Sequence, residues 1–391
     1  MKQPLIYNSI LIPNKLNTIV LGLVTILLIG ISGCDTPEKA LKSTDLDYKK
    51  AKAISWYNKK EYFKAIPVLE ELIGLMKGRQ STEDLYYMYC KANYEQGDYM
   101  ISAYHFKSFY DLYPNSEKAE ECLYMHCKSY TRLSPKPDLD QTYTTKALDA
   151  YQLFLNAFPN SKFIKEVNED ITRMRKKLEK KAMNSADLYY KTSNFKAAAT
   201  CYANILKDFP DIAEGEKMSF MIIKANFRYA QNSVPARKAE RFNTVIKNYI
   251  EFKYKFSASK YLEEAKNYET QSHYLAAISA FEWAEIGPLP LRENLFNAFF
   301  VEANRQIPLI ADKKQADEVT KMIERGQFLV VKSNYALSEE QKSVKKLPSL
   351  ERTVKTYYIF VDKFPKSRFS KEAERIFNNS TEQLKKLKSN G

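Results

Sequence analysis

The stretch "GDYMISAYHFKSFYDLYPNS" (residues 97–116) recurs three more times along the chain with its proline in register. Counted back from that proline, position −12 is small, position −8 is aromatic and position −5 is large and apolar. Spacings of four and three residues place these positions on one face of an α-helix, which is predicted to pack against a neighbouring helix. The four triplets are Ser102, Phe106 and Phe109; Ala147, Tyr151 and Phe154; Ala198, Tyr202 and Ile205; and Thr353, Tyr357 and Phe360.

The four prolines, Pro114, Pro159, Pro210 and Pro365, predict where these helices end, because the residue before a proline is disfavoured in the α conformation. Weaker copies follow the same scheme, and one of them has Ser257 in the proline place. The pattern resembles the tetratricopeptide repeat (TPR), a helix–turn–helix unit of about 34 residues that stacks on its neighbours because it cannot bury its apolar face alone. The predicted fold is therefore all-α, a TPR-like solenoid of helical hairpins.

The start of the chain has the layout of a bacterial secretory signal. Two lysines precede an uncharged run, Leu16–Ile31, which is shorter than the about 20 residues that a permanent span needs. The run leads into Ile31-Ser32-Gly33-Cys34, which resembles the lipobox of bacterial lipoproteins. That resemblance implies a signal peptide over 1–33, a covalent lipid such as palmitate on Cys34 and a lipidated tether over 34–48. The alternative is an uncleaved signal anchor with a chance cysteine.

The formal net charge of +14 indicates acidic protein surfaces or anionic headgroups as partners, since an exported protein is not expected to meet nucleic acid. The densest basic run is "RMRKKLEKK" (173–181). Within it, Arg173, Arg175, Lys176 and Lys177 are the candidate contacts to a partner or to lipid. The alternative is a solvated face of a long connecting helix.

Side chains that would perform chemistry are sparse. The histidines, His105, His126 and His273, fall in separate repeats, and "CLYMHC" (122–127) lacks the ligand spacing of a zinc site. No glycine-rich phosphate loop occurs in the sequence. We therefore expect no enzyme, no catalytic residue, no metal and no cofactor apart from the lipid. The cysteines after Cys34 are expected to be buried free thiols, with disulfides as the alternative.

A lipobox followed by these repeats resembles the BamD family of outer membrane assembly lipoproteins. The resemblance is closest over residues 36 to 268, and its most specific mark is the loop "LSPKPDLDQ" (133–141). It implies an all-helical protein on the periplasmic face of the outer membrane, anchored there by lipid. It also implies two partners, a BamA-like barrel insertase and unfolded outer membrane proteins. On this view residues 49–269 are the BamD-like array and 270–391 are additional repeats.

An unfolded barrel protein presents extended strands with alternating aromatic side chains, which a helical groove could bind. Tyr86, Tyr87, Tyr94 and Tyr104 are the candidates for lining that groove, although tyrosine serves equally well in helix packing. Two other functions stay open at this point. One is a SusD-like glycan-binding lipoprotein, for which two tryptophans are few. The other is a generic TPR scaffold for envelope enzymes.

Overall fold

A computed structural model describes residues 36–77, 79 and 82–389. Over these residues the chain forms sixteen α-helices and two short 3-10 turns, and no β-strand. The helices are α1 (Pro37–Leu41), α2 (Leu46–Asn58), α3 (Tyr62–Leu75), α4 (Thr82–Gln96), α5 (Tyr99–Leu112), α6 (Ala119–Leu133), α7 (Thr142–Ala157), α8 (Ile164–Lys191), α9 (Phe195–Asp208), α10 (Gly215–Gln231), α11 (Pro235–Lys255), α12 (Leu262–Ile286), α13 (Arg292–Gln306), α14 (Lys313–Glu340), α15 (Ser343–Lys363) and α16 (Ser370–Ser389).

Consecutive helices pack against each other through short connections, which is the arrangement of TPR-like hairpins. From α2 onward the even-numbered helices open a hairpin and the odd-numbered helices close it. The predicted all-α, TPR-like fold is confirmed. The predicted signal peptide and Cys34 lie outside the described residues. None of the described helices combines the length and the apolar character that crossing a bilayer requires.

The chain divides into two compact units, one ending at Leu178 and the other beginning at Glu179. This division falls inside the long helix α8. The boundary expected from resemblance, between residues 269 and 270, lies inside α12.

The predicted packing faces are confirmed. In α5, α7 and α9 all three positions of each triplet are buried, with Phe106, Tyr151 and Phe154 fully excluded from solvent. In the α15 triplet, Thr353 and Phe360 are buried and Tyr357 is half-buried. The Tyr357 ring stacks on Phe377 at 4.4 Å between centroids. Burial of one such ring is worth about 1.5–3 kcal/mol, so these faces supply most of what holds neighbouring helices together.

The four helices end directly before their prolines, as predicted, but a fifth helix shows that proline is not required for this ending. Five of the closing helices end at an aromatic residue with φ between −128° and −135°, whose N–H donates to the carbonyl four residues back. Phe256 adopts this conformation although Ser257, not proline, follows it. Its ring packs on Phe252, one turn earlier, at 5.4 Å. The aromatic cap therefore ends the helix, and proline only suits the turn that follows. The five caps are Tyr113, Phe158, Phe209, Phe256 and Phe364.

At four of the five capped turns, a serine in the turn joins one hairpin to the next; we call this contact the serine clasp. Its hydroxyl donates to a glutamate of the preceding opening helix and accepts from the backbone N–H two residues on. The donated bond is 2.5 Å from Ser116 to Glu83 and 2.5 Å from Ser161 to Glu120. The same clasp joins Ser259 to Glu216, and Ser367 to Glu324 at 2.6 Å.

Ring stacking and an ion pair accompany each clasp. The residue two after the serine lies over the aromatic ring one turn after the clasp glutamate. Tyr124 and Phe163 stack at 4.2 Å with a 4° angle between planes, and at the first clasp Lys118 takes the place of the ring. A lysine eight residues after the glutamate pairs with an acid of the next opening helix, as in Lys91 with Glu121 at 3.1 Å. The equivalent pairs are Lys128–Asp170, Lys224–Glu264 and Lys332–Glu372.

The turn after α9 is an exception to this pattern. Ile212 occupies the serine position and packs in an apolar cluster with Tyr202 and Met218. The polar clasp is replaced by apolar burial there.

The segment predicted as a lipidated tether is folded from its fourth residue onward. Helix α1 buries Ala40, and the buried Lys49 ammonium donates to the Leu41 carbonyl at 2.9 Å and to Glu71 at 2.7 Å. A buried lysine charge is tolerated because it is paired. This contact ties α1 to the first hairpin, so only Asp35 and Thr36 separate Cys34 from a packed helix.

Two substitutions in one turn test the roles of cap and clasp. Ser259→Ala removes the clasp to Glu216 and the bond accepted from Tyr261. It should cost about 1 kcal/mol and lower the melting temperature of the second unit by about 2–4 °C. Ser257→Pro should leave stability unchanged or raise it by up to about 1 kcal/mol, because four sister turns hold proline after the same cap conformation. Calorimetry of both variants measures this, and a destabilising Ser257→Pro would refute the role given to the aromatic cap.

Candidate protein-interaction surfaces

The four candidate groove tyrosines differ in their exposure to solvent and in their hydrogen-bond partners. Tyr86 is buried, with its hydroxyl 3.1 Å from Nδ1 of His105, and burial raises its pKa. Tyr87 is half-buried beside the first clasp, where Lys118 lies over its ring and its hydroxyl donates to Glu121 at 2.9 Å. Tyr94 packs edge-on to a neighbouring tyrosine and accepts a bond from Arg132 at 3.3 Å. Only Tyr104 turns most of its side chain to solvent, at 66% exposed.

Tyr104 lies beside two exposed apolar residues that were not among the predicted groove candidates. Met100 is 57% exposed and Ile101 is 46% exposed, and both share the outer face of α5 with Tyr104. We call these three residues the α5 patch. Its members are spaced one and three residues apart, so they form one continuous apolar surface on the helix.

The repeat register shows that this patch is specific to α5. Its members lie 14, 13 and 10 residues before the proline position. In α7 the same positions are Thr145, Lys146 and Asp149, all exposed. The other closing helices in this register carry Lys196, Ala197 and Thr200 in α9; Asn243, Thr244 and Lys247 in α11; and Glu351, Arg352 and Lys355 in α15. Comparing these positions between repeats would have revealed the patch from sequence alone.

The basic run in α8 is partly committed to the fold. Arg173 pairs with the buried Asp170, which also accepts from the Tyr151 hydroxyl at 2.5 Å. The Lys177 ammonium donates to the Ser134 carbonyl and hydroxyl at 3.0 and 2.9 Å. Burial, followed by the charge of Arg173, lowers the pKa of Lys177. These two cations stabilise the first unit.

The other two members of the run differ. Arg175 is half-buried and engaged, whereas Lys176 is exposed and has no ion-pair partner among the described residues. Of the four candidates, Lys176 is therefore the one whose charge is available to an external partner.

Cysteine and histidine side chains serve packing in the described chain. Cys90, Cys122 and Cys127 are free and buried, and burial raises their pKa values. Cys201 is free and half-buried. His126 bonds the Ala103 carbonyl at 2.7 Å. Over residues 36–77, 79 and 82–389 no three metal-binding side chains are grouped as a metal site would require.

A buried polar network, which the sequence did not indicate, connects α11, α12 and α13. His273 is 2.5 Å from Gln306 through Nδ1 and 2.9 Å from Glu269 through Nε2. The Gln306 amide donates to Asn243 at 2.9 Å and to Glu302 at 2.7 Å. An open cavity of about 440 Å³ lies above this network.

The network shifts two protonation equilibria in opposite directions. Burial alone would lower the pKa of His273, but its hydrogen bonds to Glu269 and Gln306 outweigh burial and raise it. The bond from His273 outweighs burial at Glu269 and lowers the pKa of that carboxyl. The pair is therefore stabilised in its charged form.

A known family accounts for the first half of the chain. The family model described as "Outer membrane lipoprotein" (YfiO) matches residues 42–239. The chain belongs to the YfiO family of outer membrane lipoproteins. The match covers α2–α10 and reaches the first turn of α11, so the α5 patch and the basic run both lie in the family portion. Most of α11 and all of α12–α16 extend beyond it.

One curated relative supports the same placement. The "Putative outer membrane protein assembly factor BamD" of Aquifex aeolicus is 28% identical over 258 residues, which cover 65% of this chain and 83% of the relative. The BamD-like resemblance noted from the sequence is thereby confirmed.

Solved structures that resemble the chain include TPR proteins. The "TPR2AB-domain:pHSP90-complex of yeast Sti1" is 12% identical with a TM-score of 0.29, covering 72% of this chain and 98% of that one. A tetratricopeptide repeat protein from Parabacteroides merdae is 13% identical with a TM-score of 0.24, covering 71% and 98%. Neither structure bears on function.

The network makes a prediction about pH. Because the pKa of His273 is raised above 6.5, its stabilising effect is fully present below pH 6.5 and is lost as the pH rises through the folded value. The effect of Glu269, whose pKa is lowered from 4.5, is lost as the pH falls through its folded value. Hydrogen exchange in α12 and α13, corrected for intrinsic rates, should be slowest between about pH 4.5 and 6.5. His273→Gln should remove the dependence above pH 6.5, and an unchanged profile in that variant would contradict the assignment.

Proposed function

We propose that this protein is a non-enzymatic, lipid-anchored scaffold on the periplasmic face of the outer membrane. Its task is to assist the folding and insertion of β-barrel outer membrane proteins. It does so by contacting a BamA-like barrel insertase and by holding unfolded barrel substrates. The observation that carries this proposal is the family match over residues 42–239, supported by the relative's name as an assembly factor.

The α5 patch is the proposed contact to unfolded substrate. Exposed apolar surface grouped on one helix face of a soluble domain marks a site of interaction. An unfolded barrel strand alternates apolar and polar side chains, so every second side chain can meet Met100, Ile101 and Tyr104. Of the candidate tyrosines, Tyr104 alone takes part, because it is 66% exposed whereas the other three are buried or half-buried with their hydroxyls bonded within the fold.

The exposed part of the basic run is the proposed contact to the insertase. Lys176 supplies a free charge on α8, whereas Arg173 and Lys177 hold the surrounding fold in place. Reversing all four cations of the run would therefore damage the first unit and the contact together. Lys176 alone is the informative position.

The proposed lipid on Cys34 would hold the first hairpin close to the membrane. Two residues separate Cys34 from α1, and a fully extended chain covers about 3.5 Å per residue, so the reach is about 10 Å. Because Lys49 ties α1 to the first hairpin, that hairpin cannot move away on a flexible linker.

Site-specific crosslinking tests the substrate contact. A photo-reactive phenylalanine analogue at Tyr104 should capture newly exported barrel proteins in cells. The matched control is the same analogue at Asp149, which is exposed at the equivalent register of α7. Capture at Tyr104 should exceed capture at Asp149 by about tenfold, as expected for about 1.4 kcal/mol of apolar contact. Equal capture at the two positions would remove the α5 patch from the proposal.

Affinity purification from envelopes tests the insertase contact. The wild-type chain should recover a large barrel protein with periplasmic domains. Lys176→Glu should lower that recovery about fivefold, as expected for about 1 kcal/mol per surface charge. Lys165→Glu, an equivalent reversal at an exposed position of the same helix, is the control. Absence of any such barrel from the wild-type sample would refute the assembly function itself.

A further inference from the structure

A groove outside the family match lies between α13, α14 and α15, within the second unit. Its open volume is about 710 Å³. One wall is α13, with Asn294, Asn297 and Val301, and the facing wall is α15. The floor is α14, where Gly326 lets α13 approach, because a side chain there would clash with Phe300 at 2.9 Å. This groove is not part of the surfaces assigned above.

A glutamine amide on the floor is open to the groove. Gln327 is only 8% exposed, lines the groove, and makes no hydrogen bond to another part of the described chain. Among the described residues the only solvent-excluded side-chain polar atom without a partner is Glu71 Oε2, so the Gln327 amide is hydrated from the groove. Gln327 therefore offers a donor and an acceptor to a ligand that enters the groove.

The α15 wall carries unneutralised positive charge. Arg352, Lys355 and Lys363 line the groove, are exposed, and form no ion pair with any residue that the structure describes. They lie on one face with Ile359, spaced three, four and four residues apart. The acid on the opposite wall, Glu293, is already hydrogen-bonded to Asn334 at 3.2 Å. The groove is therefore basic, with an apolar strip between its charges.

We propose that this groove binds an extended, acidic peptide segment of a partner protein. Carboxylates of the segment pair with Arg352, Lys355 and Lys363, and alternating apolar side chains contact Ile359 and Val301. Gln327 pairs with one peptide unit of the segment through its N–H and C=O together. A helical ligand fits poorly, because its backbone groups are bonded internally and cannot pair with the Gln327 amide.

The dimensions of the groove agree with a short segment. Arg352 and Lys363 are eleven residues apart in α15, which corresponds to about 17 Å along the helix. About five residues of extended chain cover that length. The proposal does not depend on the assembly function, because no residue of the groove belongs to the family match.

Fluorescence anisotropy on the full-length chain purified in detergent tests the proposal. The probe is a fluorescein-labelled peptide of about seven residues in which Asp or Glu alternates with Val. It should bind at low salt and lose affinity as salt rises. A control peptide with Asn and Gln in place of the acids should bind at least about tenfold more weakly. Equal binding of the two peptides would overturn the proposal.

Variants then locate the site. Arg352→Glu with Lys355→Glu should weaken probe binding at least about tenfold. Lys371→Glu with Lys385→Glu, an equal change at exposed positions of α16, should leave it unchanged. Gln327→Leu, which retains the buried volume, should weaken binding about fivefold without lowering the melting temperature.

Two results would contradict this assignment. If the two charge-reversal pairs weaken the probe equally, binding is non-specific and the groove is not the site. If sedimentation shows a dimer of the wild-type chain that Arg352→Glu with Lys355→Glu dissociates, the occupant is a second copy of the chain and not an acidic peptide.

Discussion

The hydrogen bond from a turn serine to a glutamate of the preceding opening helix is the directional constraint at four of the five capped turns of this array. A helical hairpin alone cannot bury its apolar face, so its stability comes from the next hairpin. Apolar packing is non-directional and tolerates sliding. A short hydrogen bond such as that from Ser161 to Glu120 does not tolerate sliding, because its donor–acceptor distance can vary by only a few tenths of an ångström. The clasp therefore fixes the register in which Tyr124 and Phe163 stack.

The aspects of the fold that were predictable from sequence are those set by local periodicity. Positions −12, −8 and −5 share a helix face by geometry alone, so the repeat itself identifies Ser102, Phe106 and Phe109 as packing residues, and all three are buried. The cause of the helix ends was misassigned, because proline is conspicuous in sequence whereas the aromatic cap matters through a contact with its own helix. Phe256 distinguishes the effect of the cap from that of proline, because this helix ends at an aromatic cap that is followed by Ser257 and not by proline. The clasp was missed because its partners lie 33 to 43 residues apart.

The candidate surfaces were less predictable for a related reason. Tyr86, Tyr87 and Tyr94 lie on α4, an opening helix that packs against helices on both sides, so composition cannot separate exposed tyrosines from buried ones. In the basic run, Arg173 pairs with Asp170 three residues earlier on the same helix, a contact that is visible in the sequence. The pairing of Lys177 with Ser134 joins residues 43 positions apart and required the fold. Burial and partners, which decide whether a charge is available, are tertiary properties.

The fixed register also explains how one chain can present different surfaces on similar hairpins. Where they are present, cap, clasp and packing face occupy the same register in the repeats, and positions −14, −13 and −10 vary in residue type around them. Asn243, at position −14 of α11, is the exception that belongs to the buried polar network. In α5 these positions form an apolar patch; in α15 they include Arg352 and Lys355. A change at these positions alters the surface without disturbing the clasp, because the two sets of residues do not touch the same atoms. Helices beyond the family portion can therefore acquire a specificity of their own while the first unit keeps its α5 patch. The Gln327 amide agrees with this view, since it lies at the floor of a basic groove and makes no hydrogen bond within the described chain.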